Sequence, residues 1–347
     1  MVEGLTGLDM KGLLKVLGLL VGLPTVAIAL FYVWGSASRK DPEGYAAVVN
    51  YAPPGLNEGE VRRGDSYTIV SYNIGYLSGL ANNTTTALAR SFYEKNQQRA
   101  IAAIEAVNPD IVAFQEIDFG SKRSYEVNQA EAMAQALKLY EGAIAIGWDK
   151  NYVPFPYWPP TAHFGKMLSG QAILSKLWFP IRKNSRIVLE KVADKPFIYN
   201  AFYLDRLAQV TEIDLLGQSV IVINVHLEAF AEQTRINQTQ FVRELATDYA
   251  KTYPVIVLGD FNSSLNRTDV ESEFSIKEMM RAEQFAAAVP EAQWGKVATF
   301  PSNAPKYKLD YIWYTPSTIE VVNAEVLSAA GEASDHLPLM MQFKLKP

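Results

Sequence analysis

Short apolar segments recur from Tyr67 to the end of the chain, and they constrain the fold more than any other feature. Nine of them are predicted to be strands: 67–74, 110–115, 142–148, 170–175, 199–214, 219–226, 254–259, 309–314 and 338–344. Patterns with a helical period predict helices at 90–107, 127–139, 229–250 and 275–287. Many strands with few interspersed helices favour sheets that pack together and carry helices outside.

The N-terminal region contains a run of 19 uncharged residues, 16–34, dominated by Leu, Val, Ala and Ile. As a helix this run would be roughly 28 Å long, close to the hydrocarbon thickness of a bilayer. Residues 1–36 are therefore predicted to be a single-pass membrane anchor, with the remainder of the chain on the extracytoplasmic side. A cleaved signal peptide, with small residues at 35–37 as the cleavage site, is the alternative.

The remainder of the chain is predicted to form a linker, residues 37–66, and one catalytic domain, residues 67–347. Prolines and glycines punctuate the linker, which has no sustained apolar period. Within the domain, residues 151–165 combine four prolines with five Tyr, Phe and Trp residues. This segment is predicted to be an irregular loop, because proline excludes a regular helix or a central strand.

The composition excludes several classes of site. The chain has no cysteine and only three histidines. Thiol nucleophiles, disulfides and cysteine-ligated metals are therefore impossible, and a site with several imidazole ligands is disfavoured. The formal net charge of −5 does not favour a nucleic-acid partner, because nucleic-acid binders usually present a basic face.

Polar clusters lie at the ends of six apolar segments, where a rigid sheet can hold their side chains close together in a fixed arrangement. They offer Asn73, Glu116, His226, Asp260, Asn262, Asp310, Asp335 and His336. Carboxylate and amide oxygens are ligands for hard cations such as Mg²⁺, and histidines transfer protons near neutral pH. The set predicts metal-assisted attack of water on a phosphate ester. Taken singly, each residue also has a structural explanation, such as a turn or a buried core histidine. The inference depends on the conjunction and order of the clusters.

That order resembles the endonuclease/exonuclease/phosphatase superfamily, which includes pancreatic-type deoxyribonuclease, abasic-site endonucleases, inositol polyphosphate 5-phosphatases and neutral sphingomyelinases. The resemblance covers about residues 66–345. It is carried by the motifs SYNIG (71–75), FQE (114–116), GQAILSK (170–176), GDFN (259–262), LDYI (309–312) and SDHLP (334–338). It implies an α/β (α+β) fold, a four-layer sandwich of two packed mixed β-sheets with helices outside, here preceded by one transmembrane helix.

The resemblance also implies a metal site. Glu116 would be the principal ligand, with Asn73 beside it and Asp335 completing the metal or phosphate site. The expected cofactor is Mg²⁺, with Mn²⁺ or another divalent cation as alternatives.

The other site residues are expected to handle water, protons and phosphate. By resemblance, Asp260 and Asn262 orient the attacking water and a phosphate oxygen, and Asp310 holds the ring of His336, the candidate base. Whether Asp260 or His336 takes the proton stays open. His226 would stabilise the phosphorane oxygens or protonate the leaving group.

Three further residues are candidates for substrate binding. His163 and Lys166 could reach a second phosphate oxygen or the leaving group. Arg235, in the helix after His226, could brace the site. A loop histidine, a solvated lysine and a helix-surface arginine are equally plausible roles for them.

His226 favours two branches of the superfamily, the sphingomyelinases and the deoxyribonucleases. The anchor, the acidic charge and the aromatic loop 151–165 favour a membrane lipid as substrate over nucleic acid. The leading hypothesis is a Mg²⁺-dependent phosphodiesterase of phospholipase C or sphingomyelinase type. The alternatives are a membrane-anchored nuclease and a catalytically silent scaffold of the same fold.

Overall fold

The apolar segments form two mixed β-sheets with helices on their outer faces. The computed structural model describes residues 10–56, 64–193, 195–265 and 273–346. The strands are β1 (Ala46–Asn50), β2 (Tyr67–Asn73), β3 (Ile111–Asp118), β4 (Glu141–Val153), β5 (Gly165–Ser175), β6 (Ile181–Val188), β7 (Leu207–Leu215), β8 (Gln218–His226), β9 (Val255–Asp260), β10 (Ala286–Ala287), β11 (Asp310–Tyr314), β12 (Ile319–Val326) and β13 (Leu339–Leu345). The helices are α1 (Met10–Ser36), α2 (Arg90–Glu105), α3 (Gln129–Leu137), α4 (Phe197–Phe202), α5 (Glu232–Tyr249) and α6 (Glu273–Met280).

Each sheet contains one parallel pair among antiparallel neighbours. The seven-stranded sheet has the order β1-β4-β5-β3-β2-β13-β12, and the six-stranded sheet has the order β10-β11-β9-β8-β7-β6. The parallel pairs are β2 with β3 and β8 with β9. The connections between these paired strands contain α2 and α5, as parallel strands require.

The side chains alternate between two cores. Ile69 of β2 faces the six-stranded sheet and packs in one cluster with Val222 and Val257. The adjacent Val70 faces outward and packs with Ile104 of α2 in a second cluster. The period of two along a strand produces this division, because successive side chains point to opposite faces of a sheet. The predicted four-layer sandwich is confirmed.

All nine predicted strands correspond to interior strands of the two sheets. The four strands at the sheet edges were not predicted. β1 lies inside the predicted linker and pairs with β4, so residues 46–50 belong to the seven-stranded sheet. β6 and β12 end the two sheets, and β10 falls within the predicted helix 275–287, of which α6 forms only the first part. An edge strand has one neighbour and an exposed outer side, so its sequence need not be continuously apolar.

The prediction of a strand over 199–214 was wrong in its first part. Residues from Phe197 to Phe202 form the short helix α4, and β7 begins only at Leu207. The helix is aromatic and largely exposed, with Phe197 at 73% and Ile198 at 54% exposure. Aromatic residues are common in strands, and this composition made the helical turn look like a strand extension.

The N-terminal apolar run forms most of α1. The segment Leu14–Ser36 has a mean hydropathy of 2.3, and it is long and apolar enough to cross a membrane. None of its most apolar 18-residue window is buried against the protein. Its C-terminal end, however, packs on β4: the amide of Asn151 donates to the carbonyl oxygen of Ala37 at 3.1 Å. The helix is consistent with an anchor or a signal sequence.

Gly259, the residue before Asp260, permits the close approach of β8 and β9. A Cβ there would lie 2.0 Å from the carbonyl oxygen of Val225, and the φ of Gly259 is +132°. Gly259→Ala should therefore lower the free energy of unfolding by about 3 kcal/mol or more.

Gly217→Ala is the matched control, because Gly217 has a φ of +97° but nothing within 4 Å of its Cβ position. It should lower the free energy of unfolding by about 1–2 kcal/mol. Thermal denaturation of both variants in one detergent measures the difference. Equal losses would show that the contact with Val225 is not the constraint.

Candidate active site

The topology brings the polar clusters to one edge of the sandwich. β8 and β9 are parallel and end together, with His226 opposite Asp260. β11 runs antiparallel to β9 and begins there, with Asp310 opposite Asp260. In the other sheet β2 ends at Asn73, opposite Gln115 of β3, and β13 begins beside β2. The ends of parallel strands and the starts of antiparallel strands therefore share one edge.

One group of side chains surrounds the carboxylate of Glu116. Asn73 donates through Nδ2 to Oε1 of Glu116 at 3.4 Å and to Oδ2 of Asp260 at 3.0 Å. Asn82 donates to Oε2 of Glu116 at 2.9 Å and approaches Oδ1 of Asp335 at 3.3 Å. The φ of Glu116 is +50°, where the pairing of β3 with β5 shifts in register. This irregularity turns the backbone at the catalytic edge.

The electrostatics of this group fit a bound cation. Burial raises the pKa of Glu116, and the negative charge of Asp335 raises it further. Two carboxylates that disfavour each other's charge are suitable ligands for a hard divalent cation, whose charge would offset theirs. Glu116 and Asp335 are thus able to hold the metal that the sequence predicts, and Asn73 lies beside them with its Nδ2 donating to Glu116.

A second group, Asp260, Asp310 and His336, lies beside the first. Ligand atoms of these three residues lie within 4.8 Å of one another, so they too are close enough to hold a cation. Nδ1 of His336 is 2.8 Å from Oδ2 of Asp310, and Nε2 is 3.7 Å from Oδ2 of Asp260. The ring of Phe300 packs against that of His336 with centroids 5.0 Å apart. The direct bond to Asp310 favours proton transfer as the role of this histidine.

The pKa values of His336 and Asp260 are both raised, for different reasons. Burial lowers the pKa of His336, but the charges of Asp310 and Asp260 outweigh it and raise the pKa well above its usual range. Burial raises the pKa of Asp260 to about 7, although the charge of His336 opposes the shift. The two groups are therefore coupled, because the charge on each favours the charged form of the other.

Arg206, immediately before β7, is a site residue that no sequence motif indicated. Its Nη1 donates to Nε2 of His226 at 2.6 Å, its Nε is 3.4 Å from Glu228, and its Nη2 donates to the hydroxyl of Tyr203 at 3.0 Å. Burial and the charge of Arg206 lower the pKa of His226 well below its usual range. His226 is therefore neutral, and it accepts a hydrogen bond at Nε2.

Asn82 was not predicted either, whereas Asn262 was predicted and lines the cavity. Asn82 lies in a loop after β2 without any motif, so no local pattern could reveal it. Asn262 has a φ of +50°, donates through Nδ2 to the carbonyl oxygen of Leu227 at 3.0 Å, and donates its amide to Asp260 at 2.8 Å. The structure thus brings all eight strand-end residues together.

The three predicted substrate-binding residues lie away from this cluster. Nδ1 of His163 is 2.9 Å from the hydroxyl of Tyr152, and Lys166 pairs with Glu126 at 3.1 Å. Arg235 is completely buried and donates to the backbone of Glu228 at 2.9 Å, a position that gives it no access to a substrate. Arg235 thereby braces the segment around Glu228, and the carboxylate of Glu228 pairs with Arg206. Substrate contact by His163 and Lys166 stays a prediction.

The cluster opens into a cavity of about 720 Å³. Glu116, Asp260, Asp335 and the rings of both histidines line its polar part. The remaining lining is dominated by apolar and aromatic side chains, namely Trp148, Val153, Phe155, Phe164, Phe202 and Leu204. Among the described residues that line it, Arg206 is the sole Lys or Arg.

The comparison with known families decides the identity of the domain. The model described as "Endonuclease/Exonuclease/phosphatase family" matches residues 70–336, which include all eight clustered residues. The chain belongs to this family. Members of the endonuclease/exonuclease/phosphatase family are phosphoester hydrolases, and the geometry of this member's strand ends is consistent with that activity.

Two curated proteins are similar to part of this chain. Two UPF0294 proteins of Vibrio cholerae are each 32% identical over 131 residues, which is 37% of this chain. The match spans only 41% of the length of these curated relatives.

Solved structures share the fold at low sequence identity. An endonuclease/exonuclease/phosphatase from Beutenbergia cavernae is 19% identical with a TM-score of 0.59, over 81% of this chain and 72% of that chain. The human Nocturnin catalytic domain is 19% identical with a TM-score of 0.55, over 89% and 100%. A mannosyl-6-phosphatase from Bacteroides thetaiotaomicron is 18% identical with a TM-score of 0.54, over 81% and 100%.

The bond between Asp310 and His336 yields a prediction for this family member. Asp310→Asn should lower kcat for a soluble phosphodiester at least about 100-fold, because the ring of His336 loses its charged partner and its orientation. KM should change little. Asp214→Asn, at a carboxylate that pairs with Arg182 on the surface, is the control and should keep full activity. Comparable kcat values for the two variants would remove His336 from proton transfer.

Proposed function

We propose that this protein is a membrane-tethered, Mg²⁺-dependent phosphodiesterase that hydrolyses a membrane lipid in the manner of a phospholipase C or sphingomyelinase. The observation that carries the proposal is the composition of the cavity, in which the catalytic cluster adjoins a large aromatic and aliphatic wall. A small polar substrate would make few favourable contacts with this apolar wall. A lipid phosphodiester has a charged phosphate next to hydrocarbon, so its phosphate matches the catalytic cluster and its hydrocarbon matches the wall.

The single arginine argues against the nuclease alternative. Nucleic-acid grooves place several Lys or Arg side chains along the phosphate backbone. In this cavity, Arg206 is the only such side chain among the described lining residues. The silent-scaffold alternative is disfavoured too, because all eight residues of the cluster are present and assembled.

Hydrolysis follows from the arrangement of the cluster. Water adds to phosphorus, the bond from phosphorus to the oxygen of the lipid alcohol breaks, and the departing alkoxide takes up a proton, so that the products are the lipid alcohol and a phosphorylated headgroup. His336, held by Asp310 through Nδ1, presents Nε2 beside Asp260, so this pair takes the proton from water. Arg206, held by His226 and Glu228, supplies positive charge for the phosphate oxygens.

Glu116, Asn73 and Asp335 would hold the divalent cation, Mg²⁺ or Mn²⁺. When bound, it neutralises charge on the phosphate and polarises the phosphorus centre. Asn82 maintains the separation of the two carboxylates by donating to both of them. Buried carboxylates without such a donor would rearrange before metal binding.

Asn82→Ala should therefore raise the Mg²⁺ concentration needed for half-maximal activity by about 10- to 100-fold, as for other residues that orient metal ligands. Activity at saturating Mg²⁺ should fall much less. A Mg²⁺ titration of phosphodiester hydrolysis gives both quantities. Thr85→Ala, an exposed position of the same loop, is the control. An unchanged half-maximal concentration in Asn82→Ala would contradict this role.

The substrate is tested by assaying sphingomyelin, phosphatidylcholine, phosphatidylinositol and plasmid DNA side by side. With Mg²⁺, at least one lipid should release a phosphorylated headgroup, and EDTA should abolish the release because the carboxylates then lack their cation. DNA should stay intact. Cleavage of DNA without turnover of any lipid, with activity falling as salt rises, would replace this proposal by the nuclease hypothesis.

A further inference from the structure

The most exposed aromatic side chains of the domain surround the mouth of the catalytic cavity. Outside α1, and among the described residues, the four largest aromatic exposures are Trp158 at 77%, Phe230 at 75%, Phe197 at 73% and Tyr157 at 71%. Tyr157 and Phe230 line the cavity, and Trp158 and Phe197 adjoin lining residues in sequence. We call these four residues the aromatic rim. Large apolar side chains gathered at one site mark an interaction surface rather than scattered exposure.

The end of α1 packs directly against this rim. Tyr32 contacts the ring of Phe197 with centroids 6.0 Å apart and that of Phe202 with centroids 5.7 Å apart. The ring of Phe31 contacts that of Tyr152, near the end of β4 and in the segment 151–165 that also carries Trp158, with centroids 5.6 Å apart. The last turn of the helix and the cavity mouth therefore lie on the same side of the domain.

Hydrogen bonds hold this junction in one orientation. The side chain of Asn151 donates to the carbonyl oxygen of Trp34 at 2.9 Å, and Lys150 donates to that of Ser36 at 2.9 Å. They satisfy carbonyl groups that a helix end leaves without partners. These bonds fix the domain against the end of α1, so the helix is not a tether about which the domain rotates freely.

We propose that the aromatic rim inserts into the interface of the same membrane that α1 spans, so that the cavity opens directly onto the lipids of that leaflet. A helix the length of Leu14–Ser36 places Tyr32 and Trp34 at the level of the headgroups when it crosses a bilayer. Residues in ring contact with Tyr32 lie at the same level. Lys195 is exposed beside Phe197 and lies 5.5 Å from the ring of Tyr199, a mixture of basic and aromatic groups that suits an interface.

This inference rests on the membrane tether of the proposed function, but it does not depend on which ester is cleaved. Its occupant is a lipid surface. A protein partner would cover the same rim without any contact to lipid, and this difference is what the experiment measures.

Because the natural chain contains no cysteine, a single introduced cysteine gives one defined labelling position. Single cysteines replace Trp158, Phe197 or, as a control, Val322, which is 49% exposed on the edge strand β12. The full-length variants carry a polarity-sensitive fluorophore and are placed in lipid nanodiscs. Lipids with a nitroxide near the headgroup should remove most of the fluorescence at positions 158 and 197 and little at position 322. Equal quenching at all three positions would overturn the proposal, as would blue-shifted emission at 158 and 197 without quenching.

A second readout separates docking from chemistry. In Trp158→Ser/Phe197→Ser, hydrolysis of a soluble phosphodiester should equal that of the natural chain, because neither side chain lines the cavity. Turnover of the substrate lipid in the same nanodisc should fall at least about tenfold, because the effective concentration of lipid at the mouth is lost. Val322→Ser should leave both activities unchanged. Undiminished lipid turnover in the double variant would overturn the docking, whereas quenching without turnover of any lipid would reject only the substrate.

Discussion

A buried amide pair at the interface of the two sheets aligns the strands that carry the site. Nε2 of Gln115 donates to Oδ1 of Asn224 at 2.7 Å, and Nδ2 of Asn224 donates to the carbonyl oxygen of Phe114 at 3.0 Å. Glu116 follows Gln115, and His226 lies two residues beyond Asn224. Because unpaired buried amides are costly, a slip of one sheet over the other would be unfavourable. The pair thus links the ends of β3 and β8.

Charge balance explains why the site needs partners from both sheets. The carboxylates of Glu116, Asp260 and Asp335 converge on the cavity, where like charges oppose one another. Arg206 beside β7 of one sheet and His336 beside β13 of the other supply positive charge, and the proposed cation supplies the remainder. The aromatic wall lowers the local polarity and strengthens each of these interactions. The same wall is the observation on which the proposal of a lipid phosphodiester as substrate rests.

Prediction from sequence succeeded where the local sequence pattern indicates the surroundings of a residue in the fold. Interior strands need apolar side chains on both faces, and all nine were located. The edge strands β1, β6, β10 and β12 have solvent on one side, so their sequences lack that pattern. The same limit applies to the site. Strand-end motifs revealed eight residues, whereas Arg206 and Asn82 belong to it only through contacts with side chains distant in sequence.

The sequence by itself determined the superfamily, the two-sheet fold and the strand-end residues, because each of these depends on local patterns of polarity and their order along the chain. Tertiary structure alone decided three other features. Arg206 keeps His226 uncharged, Arg235 is buried away from any substrate, and the end of α1 lies against the aromatic rim. These depend on packing between segments far apart in the chain. No periodicity of 2 or 3.6 residues encodes such a contact.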